Sequence, residues 1–282
     1  MLSERLEEAV KAIRREMRAR GGLLVALSGG VDSSVVAALA KAALGERAVA
    51  ATIASPLTPR YDLADARRVA AFLSMRHLTI WLNELRLREV RENGPMRCYA
   101  CKRYRYEELL QVAETLGLRA VADGTTASDL GQHRPGLRAV EELGIYTPLL
   151  DHGLTKEEVR ELARHMGLPT AEKAPNSCLA TRFPPGHHLT PEELREVEQV
   201  EGALKELLGP GVLIRTRKLG PIFKLEVRPQ DMHALVRNDM RKRVLSALSG
   251  RLCLLDLAGY MMRSSKGNSI IALPQDEKLI KG

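Results

Sequence analysis

Short apolar runs alternate with helical patterns along the first half of the chain. The apolar runs have the length of strands and lie at 23–27, 49–53, 77–82 and 119–123. Between them, apolar residues recur three and four positions apart, as in helices, at 31–44, 62–73 and 103–116. Strands joined by helical crossovers of this size pair in parallel. The pattern predicts an α/β fold, a parallel sheet wound with helices, with any ligand at the carboxyl ends of the strands.

Helical spacing also marks the stretches on either side of this region. Residues 1–21 predict an amphipathic helix without the unbroken apolar core of a signal peptide. Thr155, with Glu158 three residues later, is a capping-box pattern that predicts a helix over 155–166. No apolar run approaches the roughly 20 residues of a membrane span. We therefore expect a cytoplasmic protein with no membrane role.

Prolines and glycines interrupt the helical pattern after residue 167, and a different order of elements follows. The pattern predicts a helix at 191–208 and strands at 212–217 and 223–227. Two helical stretches and an apolar run at 252–257 follow. The 282 residues leave room for one large and one small domain. We expect a large α/β domain, a functional loop and a smaller α+β domain for substrate binding or oligomerisation, at 1–168, 169–189 and 190–282.

Charge and cysteine content narrow the function. A formal charge of +8 suits an anionic ligand such as a nucleotide, a phosphorylated small molecule or RNA. Hydrophobic content of 45% against 28% charged residues is that of a globular protein able to bury a substantial core. The four cysteines are too few for a disulfide scaffold at this length, so metal binding or thiol chemistry is the better explanation.

The segment Ser28-Gly29-Gly30-Val31-Asp32-Ser33-Ser34 leads directly from the first predicted strand into the helix at 31–44. Its two glycines bring backbone N–H groups close to an anion, and the helix N-terminus adds a positive dipole end. The serines supply hydroxyl donors, and Asp32 suits a magnesium ion that bridges phosphates. The segment resembles the PP-loop of enzymes that split ATP between its α and β phosphates. It lacks the Gly-Lys-Ser/Thr ending of a Walker loop, so we expect adenylation, with ATP and Mg²⁺.

Three of the four cysteines are candidates for chemistry. Cys98 and Cys101 form a C-x-x-C pair, which is ambiguous between zinc, iron–sulfur, a redox disulfide and incidental thiols in a surface turn. Cys178 lies in the Pro-rich loop, after a helix that should return the chain to the same edge of the sheet. Three thiolates meeting there would leave one iron of a four-iron cluster open to carry a sulfide. Cys253 lies in an apolar run, where we expect a small buried hydrophobe without chemistry.

Five further stretches resemble one family that uses this loop. They are RCYACK at 97–102, DGT at 123–125, RPGLR at 134–138, CLATRFP at 178–184 and DLAGY at 256–260. Together they resemble the LarE family of ATP-dependent sulfur transferases, which serve the nickel-pincer cofactor of lactate racemase. The similarity runs from about residue 21 to residue 268. The resemblance implies that a carboxylate of a pyridinium dicarboxylate mononucleotide is adenylated and converted to a thiocarboxylate.

Members of this family obtain sulfur in two ways. In the sacrificial members, one cysteine gives up its own sulfur and becomes dehydroalanine, and these members lack the C-x-x-C pair. The present chain is similar to the other branch, in which three cysteines hold a [4Fe-4S] cluster that relays sulfide. The resemblance thus implies that Cys98, Cys101 and Cys178 are cluster ligands. It also implies a homo-oligomer supplied by sulfide or by a sulfur-donating protein.

Four arginines are candidate contacts to an anionic substrate. Arg215 and Arg217 alternate on one predicted strand, so both point to one face, where guanidinium groups suit a phosphate. An exposed basic edge strand is the alternative explanation. Arg134 and Arg182 lie in loops that contain glycine and proline, where arginines contact ligands or solvent.

Acidic residues complete the candidate site. Asp123 and the adjacent Gly124 end a predicted strand, which suits a place near the nucleotide. Glu201 and Glu226 are similar to acidic positions that bind a metal in the second domain of the family. The alternative is that either glutamate is a surface carboxylate that binds no metal.

Three other functions use parts of the same pattern. A tRNA thiolation enzyme would share the loop and the cysteines, and the positive charge permits it. Such enzymes generally add zinc-binding cysteine pairs or an RNA-binding domain, neither of which is visible, so we expect no nucleic-acid partner. An ammonia-using amide ligase would need the loop but none of the three cysteines. A nucleotide-binding module would bind ATP without releasing pyrophosphate.

Overall fold

The computed structural model describes residues 2–130, 135–209 and 212–260. Arg134, a candidate anion contact, lies outside the described residues, as does the end of the family resemblance at 261–268. Within the described part of the chain, no helix is long and apolar enough to cross a membrane.

The first domain is a four-stranded parallel sheet surrounded by helices. Its elements are α1 (Glu4–Arg20), β1 (Leu23–Ala26), α2 (Val31–Leu44), β2 (Ala48–Ala54), α3 (Arg60–Phe72), β3 (Arg76–Trp81), α4 (Arg88–Arg91), α5 (Arg97–Thr115), β4 (Ala120–Ala122), α6 (Pro135–Glu142), α7 (Pro148–Asp151) and α8 (Lys156–His165). The strand order is β3-β2-β1-β4, and every pair is parallel. The predicted α/β fold is confirmed.

The sheet separates two hydrophobic cores. Side chains on a strand point alternately to its two faces, and β1 follows this rule. Leu23 and Val25 pack on the face covered by α1, α2 and α8, whereas Leu24 packs on the face covered by α5. Strand β2 is buried along its whole length, as expected for a central strand of a parallel sheet.

Local signals account for several helix ends. The Ser3 side chain accepts a hydrogen bond from the Leu6 amide and begins α1, and Gly21 ends it in a left-handed conformation. The predicted capping box is present at α8, where the side chains of Thr155 and Glu158 each bond the backbone of the other.

Helix α5 begins six residues before the predicted helix at 103–116 and includes the C-x-x-C pair in its first two turns. The pair therefore lies on a helix and not in a surface turn, which was one of the alternatives for it. The side chains of Ala100 and Cys101 pack against a hydrophobic core shared with the second domain. The sequence pattern did not predict this helical start, because Cys101 was not counted among the apolar residues of the helix.

The second domain is α+β, as predicted, and its sheet has three strands: the two predicted ones and a third within the apolar run at 252–257. Its elements are α9 (Pro191–Leu208), β5 (Ile214–Leu219), β6 (Ile222–Val227), α10 (Met232–Val236), α11 (Asn238–Ala247) and β7 (Cys253–Leu255). Strands β5 and β6 are antiparallel, and β6 and β7 are parallel. The loop before α9 is not a free linker, because its apolar residues join the core of this domain together with residues of the first domain, including Leu57, Leu85 and Val90. The exact domain boundaries stay a prediction.

Candidate functional site

Residues 28–34, called the phosphate loop from here on, lie between β1 and α2, at the carboxyl end of the sheet. Gly30 precedes α2 without a side-chain cap, so the first-turn amides are available to an anion. The hydroxyl groups of Ser28 and Ser33 lie 3.0 Å apart across the loop, and the Ser33 hydroxyl also accepts from the Ser28 amide at 3.1 Å. The buried Ser34 hydroxyl donates to the Gly30 carbonyl at 2.6 Å. Ser28 is therefore the loop serine most open to a ligand.

Two glycines allow the backbone to pack closely at this loop. Gly29 has φ +74°, and a Cβ there would lie 2.3 Å from the carbonyl oxygen of Asp62 on α3. A Cβ on Gly124, just after β4, would lie 2.6 Å from the backbone nitrogen of Ser33. No other residue fits either position without moving the backbone. Gly124 thus packs against the N-terminus of α2.

Asp32 lies in the first turn of α2 among both acidic and basic groups. Burial raises its pKa, and Asp129 and Asp123 raise it further, whereas Lys156 and Arg160 oppose these effects. A group whose charge is disfavoured in this way is stabilised as a carboxylate by a nearby cation. The position fits a magnesium ligand at the phosphate loop.

Asp123 is held firmly in place at the end of β4. Its carboxylate accepts hydrogen bonds from the Tyr106 hydroxyl, the Thr125 hydroxyl and, at 2.5 Å, the Thr125 amide. The ammonium group of Lys102 lies 3.7 Å from the same carboxylate. Lys102 directly follows Cys101, so Asp123 links the nucleotide side of the site to the helix that carries the cysteines.

The three candidate cysteines face one region of the site. Cys98 and Cys101 are three residues apart on α5 and so share one helix face. Cys178 precedes a short 3-10 turn, Leu179–Arg182, whose first amide donates to the Leu57 carbonyl beyond β2 at 3.0 Å. Burial raises the pKa of Cys101 to about 11, with Cys178 and Cys98 among the groups that add to the shift.

Arginines surround these sulfur atoms. The Nη2 of Arg97 lies 3.3 Å from the Sγ of Cys98, and all three thiols raise the pKa of this guanidinium against the effect of burial. Arg105 lies beside Cys101 and pairs with the fully buried Glu84 at 2.6 Å. Positive charge stabilises thiolates and other anionic sulfur species.

The three thiols fit an iron–sulfur cluster by their chemistry but not by their present arrangement. Three thiols are the right kind of donor for iron and sulfide. However, within residues 2–130, 135–209 and 212–260, no group of three or more His, Cys, Asp or Glu side chains is arranged to hold a metal ion. The donor chemistry fits, while the present side-chain arrangement is not itself a metal site.

Cys253 lies apart from these three thiols, on the edge strand β7. It is half-buried rather than fully buried, and burial raises its pKa. Its side chain packs against the core of the second domain.

Arg182 lies in the interior and holds the cysteine-bearing loop. Its guanidinium is fully buried and forms two hydrogen bonds with Glu201, at 2.9 and 2.7 Å. Burial alone would raise the pKa of Glu201, but Arg182, Lys205 and Arg215 together lower it to about 2. The geometry favours an anchoring role for this pair over direct contact with substrate or metal.

The two arginines of β5 also contact the loop. Arg215 donates to the Pro175 carbonyl, and Arg217 donates to the Thr181 carbonyl. Arg217 also pairs with Glu226 at 2.9 Å. The Nε of Arg215 is buried without a hydrogen-bond partner among the described residues. Buried donors are normally paired, so this N–H group is available to an acceptor such as an anion.

Known proteins resemble the chain over different lengths. An uncharacterised protein of Synechocystis sp. is 33% identical over 94% of this chain and 99% of its own length. The pyridinium-3,5-bisthiocarboxylic acid mononucleotide synthase of Lactiplantibacillus plantarum is 33% identical over 89% of this chain and 90% of its own. The chain belongs to the LarE family. It is accordingly an enzyme, a sulfur transferase with adenylating chemistry.

The chain is also similar, over shorter stretches, to proteins with other functions. The tRNA-specific 2-thiouridylase of Moorella thermoacetica is 30% identical over 69% of this chain and 63% of its own length. Residues 1–92 match the asparagine synthase family. That match contains residues 28–34 but ends before Cys98, Cys101 and Cys178.

Lys173 is a site residue of this LarE protein that the sequence analysis missed. Its ammonium group donates to the Gly29 carbonyl of the phosphate loop at 2.8 Å and pairs with Asp62 and Asp65. Arg160 of α8 holds the Lys173 carbonyl at 3.2 Å. The lysine stands five residues before Cys178 in a segment without periodicity, and only its closeness to that cysteine was a signal.

Proposed function

We propose that this chain converts a carboxylate of a pyridinium dicarboxylate mononucleotide into a thiocarboxylate, with ATP. The observation that carries the proposal is the placement of the phosphate loop and the three cysteines at one edge of the sheet. Lys173, five residues before Cys178, contacts the loop at the Gly29 carbonyl. The name of the Lactiplantibacillus plantarum relative supports this substrate class.

The reaction has two steps. A carboxylate oxygen of the substrate attacks the α-phosphorus of ATP, and pyrophosphate leaves into the cradle formed by residues 28–34. A sulfur nucleophile then attacks the activated carbonyl carbon, the bond from this carbon to the AMP oxygen breaks, and AMP leaves. In this scheme Asp32 holds Mg²⁺ at the phosphates, and Asp123 and Gly124 border the nucleotide.

Cys98, Cys101 and Cys178 are proposed to hold a [4Fe-4S] cluster. Such a cluster, with three protein ligands, supplies an open iron position for sulfide and permits repeated turnover. The guanidinium groups of Arg97 and Arg105 would offset the negative charge of such a cluster. The competing mechanism is donation of sulfur by Cys178 itself.

Arg215 and Arg217 are proposed to contact the phosphate of the substrate. The unpartnered, buried Nε of Arg215 supports this role. For Arg134 the role rests on the family resemblance. For Glu201 and Glu226 the resemblance suggests a metal, although both glutamates pair with arginines in the structure.

Iron analysis of cysteine variants tests the cluster. Anaerobically reconstituted wild-type protein should contain about four irons per chain, as a four-iron cluster requires. Cys98→Ser, Cys101→Ser and Cys178→Ser should each lower the iron content, whereas the matched control Cys253→Ser should not. Unchanged iron in the triple variant would contradict the cluster.

Two further measurements test the rest of the mechanism. The mass of the chain after turnover should be unchanged, and loss of one sulfur at Cys178 would establish the sacrificial mechanism instead. Asp32→Ala should abolish substrate-dependent release of pyrophosphate while the iron content stays normal. Persistent release from this variant would refute the role of Asp32.

The remaining parts of the proposal concern supply and assembly. We propose sulfide or a sulfur-donating protein as the source, the cytoplasm as the location and a homo-oligomer as the working form. Large apolar side chains exposed on the second domain support an assembly, among them Leu252, Leu254 and Leu257. Light scattering coupled to size-exclusion chromatography tests it.

A further inference from the structure

A continuous series of polar contacts runs from the phosphate loop to the cysteine-bearing loop. It starts at Lys173, whose Nζ donates to the Gly29 carbonyl at 2.8 Å and pairs with Asp62 at 2.7 Å and Asp65 at 2.6 Å. An ammonium group has three N–H donors, and these three acceptors engage all of them. Lys173 therefore ties the phosphate loop to the start of α3.

The contacts continue from Asp62 to the cysteine. Asn176 donates to the second carboxylate oxygen of Asp62 at 2.6 Å, and its carbonyl oxygen accepts from Arg182 at 3.0 Å. Arg182 in turn donates to the Cys178 carbonyl at 3.4 Å. The side chains that form these links are buried or half-buried, so solvent and salt screen them less than surface contacts.

We propose that Lys173 is a positioning residue that couples occupancy of the phosphate loop to the placement of Cys178. The inference rests on the proposed function, because it assumes that ATP phosphates bind the loop. An arriving phosphate attracts the nearby half-buried ammonium group. Since all three N–H groups are engaged, a new contact to phosphate weakens one of the existing three. The change reaches Cys178 through Asp62, Asn176 and Arg182.

This coupling has a purpose in a two-step reaction. The sulfur nucleophile is useful only after the carboxylate has been adenylated, and a lysine that contacts the loop carbonyl responds to the phosphates held there. A ligand shifts the position of another group only through a difference in its interactions with the two states. The contact between Lys173 and the Gly29 carbonyl is the interaction that differs.

The test measures alkylation of each cysteine separately. Full-length, cluster-free protein is labelled anaerobically with iodoacetamide, with and without α,β-methylene ATP, and the labelled peptides are quantified by mass spectrometry. In wild-type protein, the saturating analogue should change the Cys178 rate by about fivefold or more, the lower range of typical coupling. Cys253, on β7, serves as the internal reference. In Lys173→Met the change should disappear, while calorimetry shows that the analogue still binds.

A second lysine and a second variant complete the test. Lys41→Met is the matched control, because Lys41 also pairs with a carboxylate, Glu46 at 2.5 Å, but at the far end of α2. In Lys41→Met, the analogue should change the alkylation rate of Cys178 as it does in the wild type. Asn176→Leu interrupts the same series of contacts without removing a charge, so it should also lose the response, and it decides the matter if Lys173→Met does not fold.

The outcomes separate the coupling from the proposed function. A response that survives in Asn176→Leu or in folded Lys173→Met overturns the coupling. A wild-type protein that binds the analogue without any change at Cys178 overturns it as well. A wild-type protein that does not bind the analogue contradicts the proposed function, and the coupling fails with it.

Discussion

Gly29 determines the geometry of the phosphate loop through its backbone alone. Its positive φ disfavours any L side chain, and the carbonyl of Asp62 occupies the space of a Cβ. The loop and α3 therefore pack backbone against backbone. This close packing also brings Asp62 within reach of the lysine that contacts the loop.

Replacement of Gly29 by alanine should disable adenylation. The new methyl group must displace the loop or α3, and a misplacement of this size costs about a hundredfold in rate or more. Gly21→Ala is the matched control, since Gly21 has a similar positive φ of +72° in the left-handed region but nothing within 4 Å of its Cβ position. It should lose only about 1 kcal/mol of stability. The measurement is substrate-dependent pyrophosphate release, and equal activity of the two variants would contradict the role of Gly29.

Glu201 and Arg182 form the most buried ion pair of the site, with neither side chain exposed. Removal of one partner leaves a buried charge uncompensated, which costs about 3–5 kcal/mol. Glu201→Gln should therefore lower the free energy of unfolding in denaturant titrations by this amount. The exposed pair between Glu172 and Arg164 provides the control, because Glu172→Gln should change it little.

The same pair predicts a pH dependence with a definite sign. The pKa of Glu201 is about 2 in the folded protein and about 4.3 in an unfolded chain. Its contribution to stability is therefore complete above about pH 4.3 and is lost as the pH falls toward 2. The loss of stability between pH 5 and pH 2.5 should be smaller in Glu201→Gln than in wild-type protein. Identical pH profiles would show that the carboxylate is not stabilised as described.

At the scale of elements, Asn93 joins the end of α4 to the loop after Cys178. It adopts a positive φ of +51° and is almost fully buried. Its side chain donates to the Pro184 carbonyl at 2.7 Å and accepts from Arg97 at 2.5 Å, and its carbonyl accepts from the Gly186 amide at 3.1 Å. One residue therefore orients both the arginine beside Cys98 and the chain that follows Cys178.

Asn93→Ala should loosen this connection. The variant leaves buried polar groups without partners, at a cost of about 1–3 kcal/mol. Hydrogen exchange should become faster at the amides of Gly186 and Leu189. Ser249→Ala is the control, because Ser249 has a similar φ of +50° but is exposed. If the two variants exchange alike at 186–189, the side-chain contacts of Asn93 do not hold the loop.

Local patterns predicted most elements but not the path of the cysteine-bearing loop. The bounds of α2 and α9 agree with the predicted 31–44 and 191–208, because apolar spacing and start signals coincide there. Helix α5 was predicted six residues short, because its start is only partly buried, with Ala100 and Cys101 packed against a core that local spacing does not reveal. The loop has no periodicity at all, so its burial against both domains could not be anticipated.

At the scale of the whole molecule, the site is assembled from long-range contacts. The sequence analysis identified the phosphate loop and the three cysteines from residue type and spacing. It assigned Arg182 to an anion and overlooked Lys173, since both residues act through partners far away along the chain. A motif indicates which residues carry chemistry, whereas the fold determines which charges remain available to a ligand.

The net charge of +8 is a property of the whole molecule that is compatible with RNA binding. Many surface arginines pair with a carboxylate three or four residues away, which disperses the positive charge. These pairs include Arg88 with Glu92, Arg103 with Glu107, Arg138 with Glu142 and Arg195 with Glu192. Such a surface is unlike the continuous basic patch of a nucleic-acid site.

Bulk tRNA should therefore bind only weakly, with a Kd of about 10⁻⁴–10⁻⁶ M, the range of non-specific binding. Binding at low salt should fall steeply as salt rises, since released counterions dominate it. Gel-shift titrations at two salt concentrations, with duplex DNA as the competitor, measure both properties. DNA should displace the tRNA as readily as unlabelled tRNA does. Tight binding that resists both salt and DNA would favour a tRNA-thiolating enzyme over one that acts on a mononucleotide.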